Sequence, residues 1–179
     1  TSLNIFLNKK ILIYGLGKTG LSALKFLKNK AEIFVHDDHL SKFKNLGIKN
    51  TINYKNLLKL NFDQIILSPG IDINKCKLSK FLKKNRNKIY SDLDVFYSFY
   101  KNDCITITGT NGKSTTCKLM YEVLLNQKHD VRLVGNIGNP ILSVKNLKKK
   151  TIFIVEASSY QLEYSKLFKS KYAVILNLS

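Results

Sequence analysis

Residues 104–126 read CITITGTNGKSTTCKLMYEVLLN. Cys104–Ile107 is a short apolar run of the kind that forms a buried strand. A glycine turn follows, and then Leu119, Met120, Val123 and Leu124 recur at helical spacing. A glycine turn between a strand and a helix N-terminus aims unpaired backbone N–H groups at one point, which is how phosphate-binding loops wrap their ligand. In Gly-Lys-Ser the lysine reaches the outer phosphates and the hydroxyl holds Mg²⁺. The general pattern G-x-x-x-x-G-K-[ST] wants a glycine at position 107, where this chain has Ile107, so the loop is a variant with its first glycine at 109. The residues assigned to it are Gly109, Thr110, Asn111, Gly112, Lys113, Ser114 and Thr115.

Outward from this loop the same rhythm repeats. KKILIYG, AEIFVHD, DQIILSPG, KIYSD, DVRLVGN, TIFIVEAS and YAVILNLS all read as short buried strands. Between them, helical patterns cover Thr19–Asn29, Cys76–Asn85, Lys113–Asn126 and Tyr160–Phe168, and Asp92–Tyr100 is a short aromatic helix. Apolar strands alternating with helices predict parallel sheets covered on both faces, an α/β fold. The polar break Lys101-Asn102-Asp103 separates two units, each opening with its own strand, glycine loop and helix. The expectation is a Rossmann-like parallel-sheet domain over residues 1–98, then a P-loop-type parallel α/β domain over 99–179. The chain ends directly after a strand, which predicts a second sheet cut off at about four strands, with an open edge at Tyr172–Leu178 and no activity of its own.

Composition excludes several classes. The net charge of +18 comes from 28 Lys and only 2 Arg, beside 18 Asn. Nucleic-acid readers favour arginine for bidentate contacts, whereas a Lys/Asn excess is what A- and T-rich codons produce. The charge therefore reads as solvated surface, not a nucleic-acid patch. No run approaches the ~18 apolar residues of a membrane helix, and the first residues lack a signal-peptide cleavage site. A cytoplasmic chain without membrane attachment is expected. Cys76, Cys104 and Cys117 are scattered and lack zinc spacing, as structural thiols in a reducing compartment would be.

A second glycine loop, Gly15-Leu16-Gly17-Lys18-Thr19-Gly20, follows the strand Ile11–Tyr14, and Asp37 stands 20 residues past Gly17. Alone this spells a dinucleotide site, with Asp37 on the ribose, or simply a structural glycine turn. Gly135-Asn136-Ile137-Gly138 ends one strand and Val155-Glu156-Ala157-Ser158-Ser159 the next. A carboxylate leaving a buried strand toward a phosphate loop suits a Mg²⁺ ligand, while the bland alternative for Glu156 is a helix N-terminal acid.

The variant loop GTNGKST resembles that of the Mur ligases and folylpolyglutamate synthetases. The order GLGKTGLS, LSPGI, GTNGKST, GNIG, EASSYQLE, ILNLS resembles the D-glutamate-adding branch of the Mur ligase family over essentially the whole chain. The resemblance implies a first domain that holds the UDP part of a substrate and binds no NAD. Lys18, Thr19, Asp37 and Asp38 would lie around the uracil, with Ser68, Pro69 and Gly70 at the ribose and diphosphate. Lys113 would bind the ATP phosphates and act catalytically with Glu156, while Ser114, Thr115 and Glu156 would serve Mg²⁺. Asn136, Ser158 and Gln161 would contact the muramoyl part or the surroundings of the metal. Asp38 departs from the family, which often has a small hydroxylated residue there. The implied reaction is ATP-dependent addition of D-glutamate to UDP-N-acetylmuramoyl-L-alanine through an acyl phosphate, by a protein monomeric at full length, in peptidoglycan synthesis. An NAD(P)-dependent oxidoreductase would explain the first loop but leave the second without a role. Another P-loop ATP-binding protein would do the reverse.

Overall fold

The computed structural model describes residues 4–48 and 50–177. Four strands, β1 (Lys10–Tyr14), β2 (Glu32–His36), β3 (Gln64–Leu67) and β4 (Ile89–Tyr90), form a sheet of order β2-β1-β3-β4. Four more, β5 (Cys104–Thr108), β6 (Val131–Gly135), β7 (Ile152–Glu156) and β8 (Tyr172–Ile175), form a second of order β6-β7-β5-β8. Every pairing is parallel. The cause is legible in β1, where Ile11, Leu12, Ile13 and Tyr14 are all fully buried: a strand covered on both faces must be apolar throughout.

The connecting helices are α1 (Lys18–Leu27), α2 (Tyr54–Leu57), α3 (Ser79–Lys84), α4 (Asp92–Phe99), α5 (Lys113–Asn126) and α6 (Ser159–Tyr164). All eight expected strands are present, and α5 has the expected bounds. The helices α1 and α4 stop one or two residues before their patterns do, and two others are much shorter. In place of the expected start at Cys76, a turn in which Ser79 N–H donates to Cys76 O precedes α3. The pattern Tyr160–Phe168 stops at Tyr164, because the next backbone N–H groups turn to a carboxylate on another element. The short α2 and a 3-10 segment over residues 40–46 carry no pattern that announced them.

That carboxylate is Asp94. It is fully buried, and its Oδ1 accepts from the N–H groups of Lys166, Leu167 and Phe168 at 2.9, 2.7 and 3.0 Å. Its Oδ2 accepts from Ser91 N–H at 3.0 Å, closing a capping box at the start of α4. Ser91 Oγ also meets Ser165 Oγ at 2.6 Å. Beside this polar seam, the rings of Phe96 and Phe153 stack edge to face, 4.8 Å between centroids. One hydrophobic cluster thus runs from Ile11, Ile13 and Leu27 through Phe96 to Phe153 and Val155, joining the sheets. Among the described residues no helix is long and apolar enough to cross a membrane.

Replacing Asp94 with Ala leaves three N–H groups of residues 166–168 and the N-terminal turn of α4 without their acceptor. We expect a loss of about 3–5 kcal/mol in urea denaturation, and a loss under about 1 kcal/mol would contradict this role.

Its neighbour Asp92 is fully buried, and burial pushes its carboxyl up to about 6 from 3.8, against the hydrogen bond it accepts from Gln161. The folded state therefore holds the proton more tightly than the unfolded state. The stability Asp92 contributes is complete below pH 3.8 and is lost as pH rises through about 6. Asp92→Asn removes this dependence. Its stability should match the wild type near pH 4 and exceed it by up to about 3 kcal/mol at pH 7.5, as read from denaturation midpoints across that range.

Candidate active site

The first sheet reverses its strand order on either side of β1, and the loops after β1 and β3 face each other across that switch point, where open parallel sheets bind ligands. The backbone approach there is close. A Cβ on Gly20 would fall 1.8 Å from Gly15 O, so α1 can pack against its own loop only with glycine at 20. Ser68 Oγ donates to Gly15 O at 2.8 Å and pins the β3 loop to the β1 loop. A cleft of about 360 Å³ results, lined by Lys18, Thr19, Asp37, Ser68, Pro69 and Gly70 from the first sheet's loops and by Asn136 from the loop after β6. Gly135, Gly138 and Pro140 complete the wall on that side.

Three residues expected at the substrate do not line this cleft. Asp38 instead accepts from Tyr14 Oη at 2.8 Å and from Lys77 N–H at 3.4 Å. Ser158 caps α6, accepting from Gln161 N–H at 3.1 Å. Gln161 is 2% exposed and donates through Nε2 to Asp92 Oδ1 at 2.5 Å, which places it in the seam between the sheets. Asp37 lines the cleft, but its carboxylate is also the loop's anchor. Oδ2 accepts from Leu16 N–H and Oδ1 from His39 N–H, both at 2.8 Å. Both oxygens that would grip a dinucleotide ribose are thus engaged by backbone.

The second loop leads from β5 into α5, with Gly112 at the N-cap position. Ser114 Oγ donates to Glu156 Oε2 at 2.9 Å. Register explains this meeting: Glu156 pairs with Ile107 of β5 on one side and with Gly135 of β6 on the other, so its carboxylate emerges beside the loop. Thr115 stands exposed in the same helical turn. An exposed serine hydroxyl touching a carboxylate that is 5% exposed is a hard oxygen pair. One carboxylate and one hydroxyl suit Mg²⁺, which usually keeps waters and phosphate oxygens as its other ligands.

Lys113 does not point at solvent, the usual expectation for an empty loop. Its Nζ donates to Gly109 O at 2.6 Å and to Thr110 O at 3.1 Å. The ammonium thus bonds to its own loop's carbonyls.

The cleft and the second glycine loop meet at Glu156, because Asn136 N–H donates to Glu156 O at 3.0 Å while the carboxylate of Glu156 takes Ser114. The thiols take no part. Burial pushes Cys104 and Cys117 both up to about 12, so they stay protonated.

Sequence reasoning missed the carboxamide of Asn177, whose Oδ1 accepts from the N–H groups of Thr110 and Asn111, both at 2.9 Å. Its position just past the strand beside β5 was the available signal.

Comparison with known proteins matches residues 9–89 to the Mur ligase MurD-like N-terminal domain and residues 107–179 to the Mur ligase middle domain. The UDP-N-acetylmuramoylalanine–D-glutamate ligase of Rickettsia bellii (strain RML369-C) is 37% identical over 182 residues, which cover 99% of this chain and 40% of that protein. The ligase of the same name from Buchnera aphidicola subsp. Schizaphis graminum (strain Sg) is 40% identical over 180 residues, with 97% and 40% covered. The chain thus spans about 40% of the length of the curated relatives it matches. Among solved structures, the UDP-N-acetylmuramate:L-alanyl-gamma-D-glutamyl-meso-diaminopimelate ligase from Neisseria meningitides aligns with a TM-score of 0.52 at 16% identity. The alignment covers 96% of this chain and 61% of that one, a likeness of fold.

Proposed function

This chain belongs to the Mur ligase family, carrying its N-terminal and middle domains, and on that premise we propose that it serves an ATP-dependent ligase. The proposed reaction joins D-glutamate to UDP-N-acetylmuramoyl-L-alanine in peptidoglycan synthesis, in the cytoplasm. The observation that carries the chemistry is the 2.9 Å contact between Ser114 Oγ and Glu156 Oε2 beside Lys113. A phosphate loop with a lysine, a hydroxyl and one facing carboxylate is the equipment of phosphoryl transfer. The names of the 37–40% identical relatives favour this substrate pair over that of any other nucleotide-dependent ligase.

On this reading the cleft takes the uridine diphosphate part of the substrate. The N-terminus of α1 offers backbone N–H groups and Lys18 a positive charge to the diphosphate. Ser68, Pro69 and Gly70 close over the ribose, and Asn136 faces the sugar from the second sheet. In the second loop, Lys113 exchanges the carbonyls of Gly109 and Thr110 for the outer phosphates of ATP. Ser114, Thr115 and Glu156 would hold Mg²⁺, which when bound neutralises charge on the transferring phosphoryl group. The terminal alanine carboxylate takes the γ-phosphoryl group of ATP to give an acyl phosphate, and ADP leaves. The amine of D-glutamate attacks the acyl carbon, and phosphate leaves. The chain's share is placement and charge neutralisation, not covalent chemistry.

Calorimetric titration of the chain with UDP-N-acetylmuramoyl-L-alanine and with NAD separates this reading from the oxidoreductase alternative. We expect the uridine nucleotide to bind and NAD not to, and tighter binding of NAD would sink the assignment. In the complete ligase, Lys113→Ala should slow ligation about a hundredfold, or ~3 kcal/mol, through loss of a charge-assisted contact to the phosphoryl group. Its melting temperature should hold, since the ammonium touches only two loop carbonyls. Ligation at nearly the wild-type rate would rule out the phosphate role.

A further inference from the structure

The N–H groups of Thr110 and Asn111 lie in the phosphate loop, yet both converge at 2.9 Å on one acceptor, Asn177 Oδ1. The same carboxamide donates through Nδ2 to Asn111 O at 3.2 Å, and the backbone carbonyl of Asn177 accepts from Thr110 N–H at 3.3 Å. These contacts prolong a strand pairing. The ladder between β5 and β8 ends at Thr108 and Ile175, and Leu176 N–H donates to Thr108 O at 3.0 Å. The loop is therefore stitched to the end of β8 residue by residue, and the side chain of Asn177 continues the ladder where the backbones diverge.

The residue types on both sides match this task. A carboxamide accepts two N–H groups on its oxygen and donates from a separate nitrogen, a combination that an ionised carboxylate of the same length does not supply. Opposite it, Gly109 has φ +141, which favours glycine, and a Cβ there would sit 3.2 Å from both the N and the O of Asn177, closer than most Cβ contacts. Lys113 Nζ holds the carbonyls of Gly109 and Thr110 from the other side. The N–H groups of Thr110 and Asn111 and the carbonyls of Gly109, Thr110 and Asn111 thus have partners within the protein. What faces outward is the first turn of α5, whose N–H groups no helix can pair internally.

We propose that Asn177 is a positioning residue for the phosphate loop: its carboxamide fixes Thr110 and Asn111 so that the first-turn N–H groups of α5 and Lys113 converge on the nucleotide phosphates. The proposal rests on the reading of this loop as the ATP phosphate site. Asn177 acts through Thr110 and Asn111 and touches no phosphate itself, so its loss weakens ATP binding while the uridine cleft, which none of these three residues lines, is untouched.

The test compares wild type, Asn177→Ala and Asn177→Asp by calorimetry with ATP·Mg²⁺ and with uridine diphosphate, and by amide exchange at Thr110 and Asn111. In the Ala variant we expect exchange protection at both amides to fall and ATP affinity to drop about tenfold, the scale of one net hydrogen bond, with uridine diphosphate affinity unchanged. The Asp variant keeps both accepted bonds and should keep the protection. Unchanged or tighter ATP binding by the Ala variant overturns the proposal, the tighter case meaning that Asn177 competes with phosphate. Loss of uridine diphosphate binding as well would reduce Asn177 to a general structural role, and loss of protection in the Asp variant would remove the acceptor argument. A wild type that binds uridine diphosphate but not ATP instead refutes the reading of the loop, and the proposal with it.

Discussion

A single buried carboxylate, Asp94, decides how the two sheets face each other. Burying a charge is costly unless hydrogen bonds surround it. Asp94 meets that condition only when the N–H groups of residues 166–168, which follow α6, lie against the N-terminus of α4. Most of the attraction between the sheets comes from apolar contacts such as Phe96 on Phe153, but such contacts are nearly indifferent to small slides. The carboxylate is not. A slide of one residue along the strand would leave N–H groups orphaned. The cleft depends on that registry, because Lys18 and Ser68 reach it from one sheet and Asn136 from the other.

The strands and glycine loops were legible because their causes are local. Apolar runs such as Ile11–Tyr14 can only be doubly covered strands, and Gly-Lys-Ser after a strand can only open a helix at its phosphate end. What the sequence could not announce were partners distant along the chain. Gln161 reads as a polar residue beside a presumed metal acid, and its bond to Asp92 across 69 positions is invisible until the chain folds. The same holds for α6, whose helical pattern is real but yields at Ser165 to the stronger demand of Asp94. Asp38 illustrates a different limit. Its neighbour Asp37 faces the cleft while Asp38 turns to Tyr14, since two adjacent residues leaving a strand take opposite directions.

The two glycine loops share a backbone logic but differ in the groups that hold them. The loop after β1 is organised by Asp37 and Ser68, groups from neighbouring strands that leave Lys18 at the cleft wall. The loop after β5 is organised by Asn177 on one side and folds its own lysine over its carbonyls on the other. On the proposed reading, Lys113 would trade these two neutral carbonyls for the anionic oxygens of a nucleotide.

Glu156 then has a role beyond supplying a carboxylate. Its backbone carbonyl receives Asn136 N–H at the cleft, and its side chain receives Ser114 at the phosphate loop. Both ends of the proposed transfer, the acceptor substrate and the phosphoryl donor, are therefore referred to one residue at the end of β7. Phosphoryl transfer asks little of a protein except alignment and charge neutralisation, and alignment is most exact when both partners are measured from the same rigid point. β7 is the natural choice for that point. It is flanked on both sides, by β6 and β5, and Phe153, Ile154 and Val155 are fully buried. On the proposed reading, a carboxylate at the end of this strand ties the cleft and the phosphate loop to one fixed point, which a carboxylate on a loop would not.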